Sequence, residues 1–185
     1  MPEANLVAKA LQACPFVVVQ DITAETDSAR LAHVLLPATA WAEKSGTVTN
    51  SERRISRQRA VLAAPGSTRD DWRILADVAG RMGWGERFAW ETSTEVFAEY
   101  AALSGIAGNL GSDFDISDHA TISDNGYDAL APFTWPANPR KSGDRFFADG
   151  QFHTPDGKAR MIAVQAPVAV TDGLPFRLNT GRIRD

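Results

Sequence analysis

Cysteine is nearly absent from this chain of 185 residues, which contains only Cys14. A single thiol excludes an intrachain disulfide, and it excludes a [4Fe–4S] cluster held by this chain alone, because such a cluster needs four thiolates. We expect Cys14 to be a small, inert, buried side chain. The isolated histidines His33, His119 and His153 show no metal-ligand spacing, so we predict no metal site.

Excess positive charge and long apolar runs are also missing. The formal net charge is -4 and the sequence pI is about 5.4, which argues against a general nucleic-acid binder. The longest apolar runs, such as residues 16–19, are far shorter than the roughly 20 residues of a membrane-spanning helix. A charged and then apolar signal segment is not found. We expect no nucleic-acid partner, no membrane association and a cytoplasmic location.

Apolar spacing near the N-terminus predicts a helix followed by two buried strands. Helical spacing over residues 3–13 ends at Pro15, and continuous apolar runs follow at residues 16–19 and 33–36. A short helix over residues 26–31 would join the two strands. Two buried strands with a helical crossover form a βαβ unit, so we predict an α/β fold with a parallel-sheet core.

Flanking helices are predicted beyond this core. An apolar stripe indicates a helix over residues 71–82, and a second helix over residues 93–103 is expected to break at Gly105. Residues 48–61 are polar with scattered β-branched side chains, which predicts irregular chain and a solvated strand. The arginines of that segment are expected to form internal ion pairs rather than a phosphate site.

Polar residues at the carboxyl end of the first strand are candidates for ligand binding. Gln20 and Asp21 stand where ligands bind in open α/β sheets, and an aspartate can accept two hydrogen bonds from a guanine edge or a ribose. A turn or helix-capping role is the alternative for Asp21. Lys44 lies close to Gly46 and could reach a pyrophosphate as a point charge, although it could equally be a solvated surface cation.

Two further positions have simple structural alternatives. Asp71 begins a predicted helix, where a carboxylate stabilises the N-terminus. Near the C-terminus, Thr180, Gly181 and Arg182 follow an apolar alternation, and a glycine beside an arginine permits close backbone approach to a phosphate.

A longer pattern connects these positions. Residues 35–54 read LLPATAWAEKSGTVTNSERR and resemble the LPA-x-x-W-x-E-K-x-G-T-x-T-N-x-E-R-R signature of molybdopterin oxidoreductases, in particular the bacterial assimilatory nitrate reductases. The resemblance covers nearly the whole chain. Other matching segments are residues 16–37, 55–59, 71–75, 113–117, 127–130, 152–160 and 178–182.

The resemblance implies a fragment of a larger enzyme that lacks the iron–sulfur N-terminal region and the C-terminal dinucleotide-binding domain. Residues 1–137 would be the α/β part of the core domain, and residues 138–185 a long irregular loop or linker, with a short strand at 160–164, that crosses toward the missing domain. The parent would reduce nitrate to nitrite with molybdenum bis(molybdopterin guanine dinucleotide) and a [4Fe–4S] cluster that this fragment does not bind. It would take electrons from a donor protein or subunit.

The resemblance also implies roles for individual residues. It makes this chain a contributor to cofactor binding, with no catalytic residue of its own and no activity when isolated. The implied cofactor contacts are Gln20, Asp21, Lys44, Asp71, Thr180, Gly181 and Arg182.

Two alternatives remain open from the sequence. The parent could be another molybdopterin oxidoreductase, such as a formate dehydrogenase or a periplasmic nitrate reductase. Alternatively, the chain could be a non-catalytic interaction module in which residues 41–59 bind a protein partner.

Overall fold

Among the described residues, helices and strands lie between Ala4 and Ser142. In this computed structural model the described residues are 3–138, 141–142, 145–165, 173, 176 and 181. Chain contacts divide the protein into two units, Met1–Asp144 and Arg145–Asp185. None of the described residues of the second unit lies in a helix or strand, so the strand expected at residues 160–164 is wrong. The apolar side chains of Met161, Ile162 and Val164 are exposed, and none of the described residues pairs with this segment as a strand.

Helices form close to the predicted positions. The α-helices of the described residues are α1 (Ala4–Ala13), α2 (Asp71–Ala79), α3 (Ser93–Asn109) and α4 (Asp124–Asp128). A π-helical turn, Gly80–Trp84, continues α2. The start of α3 is fixed by a capping box, in which Thr92 Oγ1 accepts from the Glu95 amide and the Glu95 carboxylate accepts from the Thr92 amide.

Strands pair in three small sheets within the described residues. They are β1 (Val18–Asp21), β2 (Val34–Pro37), β3 (Gly46–Thr49), β4 (Arg54–Gln58), β5 (Phe133–Thr134), β6 (Ala137–Asn138) and β7 (Lys141–Ser142). β1 pairs with β2, β4 lies between β3 and β5, and β6 pairs with β7.

The parallel pairing of β1 with β2 confirms the predicted parallel-sheet core, but the crossover between the two strands is not an α-helix. The register places Val18 opposite Val34 and Asp21 opposite Pro37, and the crossover contains only the single 3-10 turn Ala29–Leu31. Both strands are less buried than expected, with Val18 at 47% exposure. Two strands alone leave part of each sheet face uncovered.

Two strands joined by a tight turn form within residues 46–58, where irregular chain and one solvated strand were expected. β3 and β4 pair antiparallel, and β4 also pairs with β5. The side chain of Asn50 makes the turn, because its Oδ1 accepts from the amides of Glu52 at 2.9 Å and Arg54 at 3.0 Å. An asparagine that replaces backbone acceptors in this way stabilises a tight turn. Arg53 adopts a positive φ of 66° within it.

The core of the first unit packs around α3. The fully buried cluster comprises Ile55, Phe97, Ala101, Ile116 and Tyr127. These side chains come from β4, α3, the chain after α3, and α4, so the cluster joins segments that are distant in sequence. Burial of this apolar surface is the main stabilising contribution to the unit.

α3 continues through Gly105 and Gly108 to Asn109, so the expected break at Gly105 is wrong. The glycines allow the following segment to pack against the helix. A Cβ at Gly105 would lie 2.7 Å from the Cβ of Ser117, and a Cβ at Gly108 would lie 2.7 Å from Asp115 Oδ2. Close packing therefore outweighs the low helix propensity of glycine here.

We expect Gly105→Ala to lower the free energy of unfolding by about 1 to 3 kcal/mol, because the new methyl group overlaps the stiff Cβ of Ser117. Urea unfolding followed by circular dichroism measures the change. Gly80→Ala is the matched control: Gly80 has helical φ and ψ and open space around a Cβ, so alanine there should stabilise by about 0.4 to 1 kcal/mol. Equal effects of the two substitutions would contradict this packing argument.

Candidate functional site

The carboxyl ends of β1 and β2 meet the segment that leads into α2. The amide of Ala38 donates to the carbonyl oxygen of Asp21 at 3.0 Å, and Ala38 forms a parallel bridge with Arg69. The Arg69 amide donates to the Pro37 carbonyl at 3.2 Å, and the Thr39 amide donates to the Arg69 carbonyl at 3.0 Å. These backbone bonds place the N-terminus of α2 beside the strand ends.

Asp71, the first residue of α2, joins two of the predicted site residues. Its Oδ1 accepts from Nε2 of Gln20 at 2.6 Å, and its Oδ2 accepts from Nζ of Lys44 at 2.6 Å. The side chain of Lys44 is 27% exposed and that of Asp71 is 51% exposed. The group is therefore a surface cluster, open to a ligand on one side.

The protonation of Asp71 reflects these contacts. Burial acts to raise the pKa of Asp71, but the hydrogen bonds from Lys44 and Gln20 and the positive charge of Lys44 outweigh it, so the pKa lies below its ordinary value. The carboxylate is thus ionised at neutral pH and holds the lysine as a pair.

A rigid turn orients Lys44. Glu43 Oε2 accepts from the Ala40 amide at 2.8 Å, which closes the 3-10 turn Trp41–Glu43 immediately before the lysine. The carbonyl of Ala42 accepts from the amides of Val61 and Leu62 at 2.8 and 3.0 Å. Two sets of hydrogen bonds therefore hold the backbone immediately before Lys44.

Asp21 lies next to Gln20 at the end of β1. Its Oδ1 accepts from the Ile22 amide at 2.8 Å, and its Oδ2 accepts from Oγ1 of Thr26 at 2.9 Å. An ionised carboxylate has roughly four acceptor positions. The two bonds fix the orientation of the carboxylate and leave each oxygen able to accept another hydrogen bond.

The structure thus brings together Gln20, Lys44 and Asp71, and it places Asp21 next to them in the chain. Thr180 and Arg182 lie outside the described residues, and Gly181 is exposed in the second unit. Their predicted role in cofactor binding stays a prediction.

Sequence reasoning did not identify two residues that build the site, Thr39 and Asp70. Thr39 Oγ1 donates to Asp70 Oδ1 at 2.8 Å, and Thr39 is only 1% exposed. A small hydroxyl residue two positions after a strand-ending proline was the available signal.

Among the arginines of residues 53–59, Arg57 forms the predicted internal ion pair, whereas Arg53 and Arg59 donate to backbone carbonyls. The side chain of Arg57 is 5% exposed and pairs with Asp128 at 3.1 Å. Its guanidinium lies 3.9 Å from the centre of the Tyr127 ring and donates to the Gly46 carbonyl at 3.1 Å. The partner carboxylate is distant in sequence, and backbone carbonyls take several of the donors. Arg57 therefore stabilises the core.

Cys14 is exposed rather than buried, so the expectation for it is wrong. It directly follows α1, a helix that has no buried residue.

His33 accepts a hydrogen bond from the Val17 amide at 3.0 Å, and the ring of His119 lies 4.3 Å from that of Phe133. Burial lowers the pKa of His119, against the opposing charge of Asp118.

The described residues contain neither a metal-binding cluster nor a membrane-spanning helix. No group of three or more His, Cys, Asp or Glu side chains there could hold a metal ion. Among the same residues, helices long and apolar enough to cross a membrane are absent.

The sequence comparisons define the class of protein. Residues 1–81 match the sequence profile of the molybdopterin oxidoreductase family, and this match includes every part of the Gln20, Lys44 and Asp71 cluster. The chain belongs to the molybdopterin oxidoreductase family. Membership implies a molybdenum–pterin cofactor.

The relatives of this chain include nitrate reductases and a formate dehydrogenase subunit. The chain is 48% identical to the nitrate reductase of Klebsiella oxytoca over 100% of this chain, and 41% identical to that of Shewanella frigidimarina over 100%. It is 38% identical to the alpha subunit of an F420-dependent formate dehydrogenase of Methanococcus maripaludis over 97%. The chain spans about a fifth of each nitrate reductase (21%) and 25% of the formate dehydrogenase subunit.

A solved structure supports the α/β fold. Acetylene hydratase from Pelobacter acetylenicus matches with a TM-score of 0.51 and 20% identity over 81% of this chain and 18% of that chain. The mixture of parallel and antiparallel sheets with helices agrees with the fold class predicted from the sequence.

We expect Lys44→Met to raise the pKa of Asp71 toward its ordinary value, because the substitution removes both a hydrogen bond and a positive charge. Carboxyl-carbon NMR over an acid titration measures the shift. Lys9→Met, which removes the same charge from exposed α1, is the control and should leave Asp71 unchanged. An unaltered Asp71 titration in Lys44→Met would contradict the observed pairing.

The pair also predicts a dependence of stability on pH. Because the pKa of Asp71 is lower in the folded chain, its contribution to stability is complete above the unfolded-state pKa and is lost as the pH falls through the folded-state pKa. The free-energy difference between the wild type and Asp71→Asn should therefore shrink on acidification, as measured by urea unfolding at several pH values. A difference that is constant from neutral to acid pH would contradict the linkage.

Proposed function

We propose that this chain is part of a molybdenum nitrate reductase that converts nitrate to nitrite, and that it binds one guanosine end of a bis(molybdopterin guanine dinucleotide) cofactor. The observation that carries the proposal is the convergence of Gln20, Lys44 and Asp71 at the ends of parallel strands, beside Asp21. Ligands bind at this edge of open α/β sheets.

The residues present fit the chemistry of a guanine nucleotide. The guanine base offers two adjacent N–H donors, and the Asp21 carboxylate is held in a fixed orientation with acceptor positions left on both oxygens. Lys44 supplies a positive charge for a phosphate, and its pair with Asp71 is partly exposed and can be shared with an anion. The site therefore combines base recognition with charge neutralisation.

The work of this chain would be to bind and orient. A bound molybdenum centre supplies the two-electron chemistry of nitrate reduction. The fixed carboxylate of Asp21 would select the base, and Lys44 would position the diphosphate. A [4Fe–4S] cluster and an electron donor would be provided by other parts of the enzyme.

Exposed apolar residues on α3 support the proposal that this chain is one part of a larger protein. On α3 the side chains of Tyr100, Leu103 and Ile106 are 51%, 54% and 59% exposed. Their spacing places them on one face of the helix, while Phe97 and Ala101 occupy the buried face. A helix that is apolar on both faces is usually buried on both, as it would be if other parts of a nitrate reductase covered it.

Nitrate is favoured over formate by the relatives. The two nitrate reductases are 48% and 41% identical, against 38% for the formate dehydrogenase subunit. A catalytic subunit from Bacillus subtilis that is described as an assimilatory nitrate reductase is 32% identical over 98% of the chain. These likenesses support nitrate assimilation in the cytoplasm as the biological role.

An interaction module is the second candidate, because Trp41 is 65% exposed beside the site. Replacement of Asp21 and Lys44 together separates the two functions. A protein-binding surface centred on Trp41 would survive that double substitution, whereas nucleotide binding would be lost.

We expect the chain to bind GDP and to prefer it to inosine diphosphate, whose base lacks the exocyclic amino group. Asp21→Asn should weaken GDP binding at least about tenfold, because a charged acceptor is replaced by an amide that presents a donor. Isothermal titration calorimetry measures both effects. Asp27→Asn, in the same loop and exposed, is the control and should bind as the wild type does. Equal binding of GDP by Asp21→Asn would refute the guanine site.

A chimera tests the nitrate assignment. The aligned segment of the Klebsiella oxytoca nitrate reductase is replaced by this chain, which matches it at 48% identity. We expect the chimera to reduce nitrate, and the same chimera with Lys44→Met to contain less cofactor, as measured by its molybdenum content. A folded chimera that binds cofactor without reducing nitrate would argue against the assignment.

A further inference from the structure

Thr39 occupies a special position between the strand ends and α2. It is 1% exposed, and it lies directly after the bridge of Ala38 with Arg69. Its amide donates to the Arg69 carbonyl at 3.0 Å, and its hydroxyl donates to Asp70 Oδ1 at 2.8 Å. One buried residue thus holds two consecutive residues ahead of Asp71.

The hydrogen bond from the Thr39 hydroxyl occupies the Asp70 carboxylate, which would ordinarily cap α2. Asp70 is the N-cap residue of α2, with φ of -61° and ψ of 143°, and an aspartate there normally accepts from backbone amides of the first helical turn. Its side chain makes no such bond. The Asp70 carboxylate instead accepts a hydrogen bond from the Thr39 hydroxyl. A hydrogen bond from a hydroxyl to a carboxylate is stronger than one between two neutral groups.

The geometry of Asp71 depends on this arrangement. Asp71 follows Asp70 directly, and both of its short side-chain bonds, to Gln20 and to Lys44, cross to other elements of the fold. If Asp70 were released, its carboxylate could turn back to cap α2, and the first turn of the helix could shift relative to β1. Hydrogen bonds of this length tolerate little displacement.

We propose that Thr39 is a positioning residue that, through Asp70, holds Asp71 where it bridges Gln20 and Lys44. Thr39 then sets the affinity of the site for its ligand without touching that ligand. The effect on ligand affinity rests on the proposed guanine site, whereas the effect on Asp71 does not.

The test compares Thr39→Val, which keeps the shape of the side chain and removes the hydroxyl, with Thr39→Ser, which keeps the hydroxyl. The first readout is the Asp71 titration by carboxyl-carbon NMR. We expect the Asp71 pKa to rise in Thr39→Val and to return to the wild-type value in Thr39→Ser. An Asp71 titration in folded Thr39→Val that matches the wild type would overturn the proposal.

A second variant keeps the test decisive if Thr39→Val does not fold. Thr39→Ala also removes the hydroxyl but keeps the negative charge of Asp70, and it should raise the Asp71 pKa in the same direction. Asp70→Ser retains a good N-cap for α2, but it also removes a negative charge beside Asp71, which by itself lowers the Asp71 pKa. In the Asp70→Ser background, Thr39→Ala should therefore leave the Asp71 pKa unchanged, because the link that it breaks is already gone. Additive shifts in the double variant would show that Thr39 does not act through Asp70.

GDP affinity, measured on the same variants, separates the two proposals. Thr39→Val should bind GDP about three- to tenfold more weakly than the wild type, and Thr39→Ser about equally. If the wild type binds no GDP while the Asp71 pKa still rises in Thr39→Val, the guanine site fails and the positioning role stands. If GDP binds and neither the pKa nor the affinity changes in Thr39→Val, the positioning role fails alone.

Discussion

The hydrogen bonds between the end of β2 and the segment before α2 determine the rest of the site. Arg69 donates to Pro37 and accepts from Thr39, so a loop far along the chain is joined to the strand end as though it were a short third strand. This junction starts α2 beside β1, where Asp71 can meet Gln20. Without it, the candidate residues would remain on separate elements and no binding surface would form.

Charge balance fixes the orientation of the groups on this surface. Lys44 and Asp71 neutralise one another in a partly exposed setting, where such pairs contribute little net stability but fix the orientation of both groups. An arriving diphosphate can share the lysine while Asp71 keeps it in place. The same contacts therefore serve the folded chain and its proposed ligand.

Local signals in the sequence predicted the parallel strands and the helices, and the resemblance along nearly the whole chain predicted the family. Contacts between distant residues were beyond reach: Asp71 meets Gln20 across 51 positions of the chain, and Arg57 meets Asp128 across 71. Packing also overrode local preference, since Gly105 lies within α3 because Ser117 needs the space. The resemblance selected candidate positions, but only the fold showed which of them touch.

The central claim is that the strand ends and the start of α2 form one nucleotide site. Its most direct test is to map the amide NMR signals of the chain during a titration with GDP. We expect the signals of Gln20, Asp21, Lys44 and Asp71 to shift together along one saturation curve. Shifts confined to another surface, such as the cavity of about 480 Å³ beside Trp90, would contradict it.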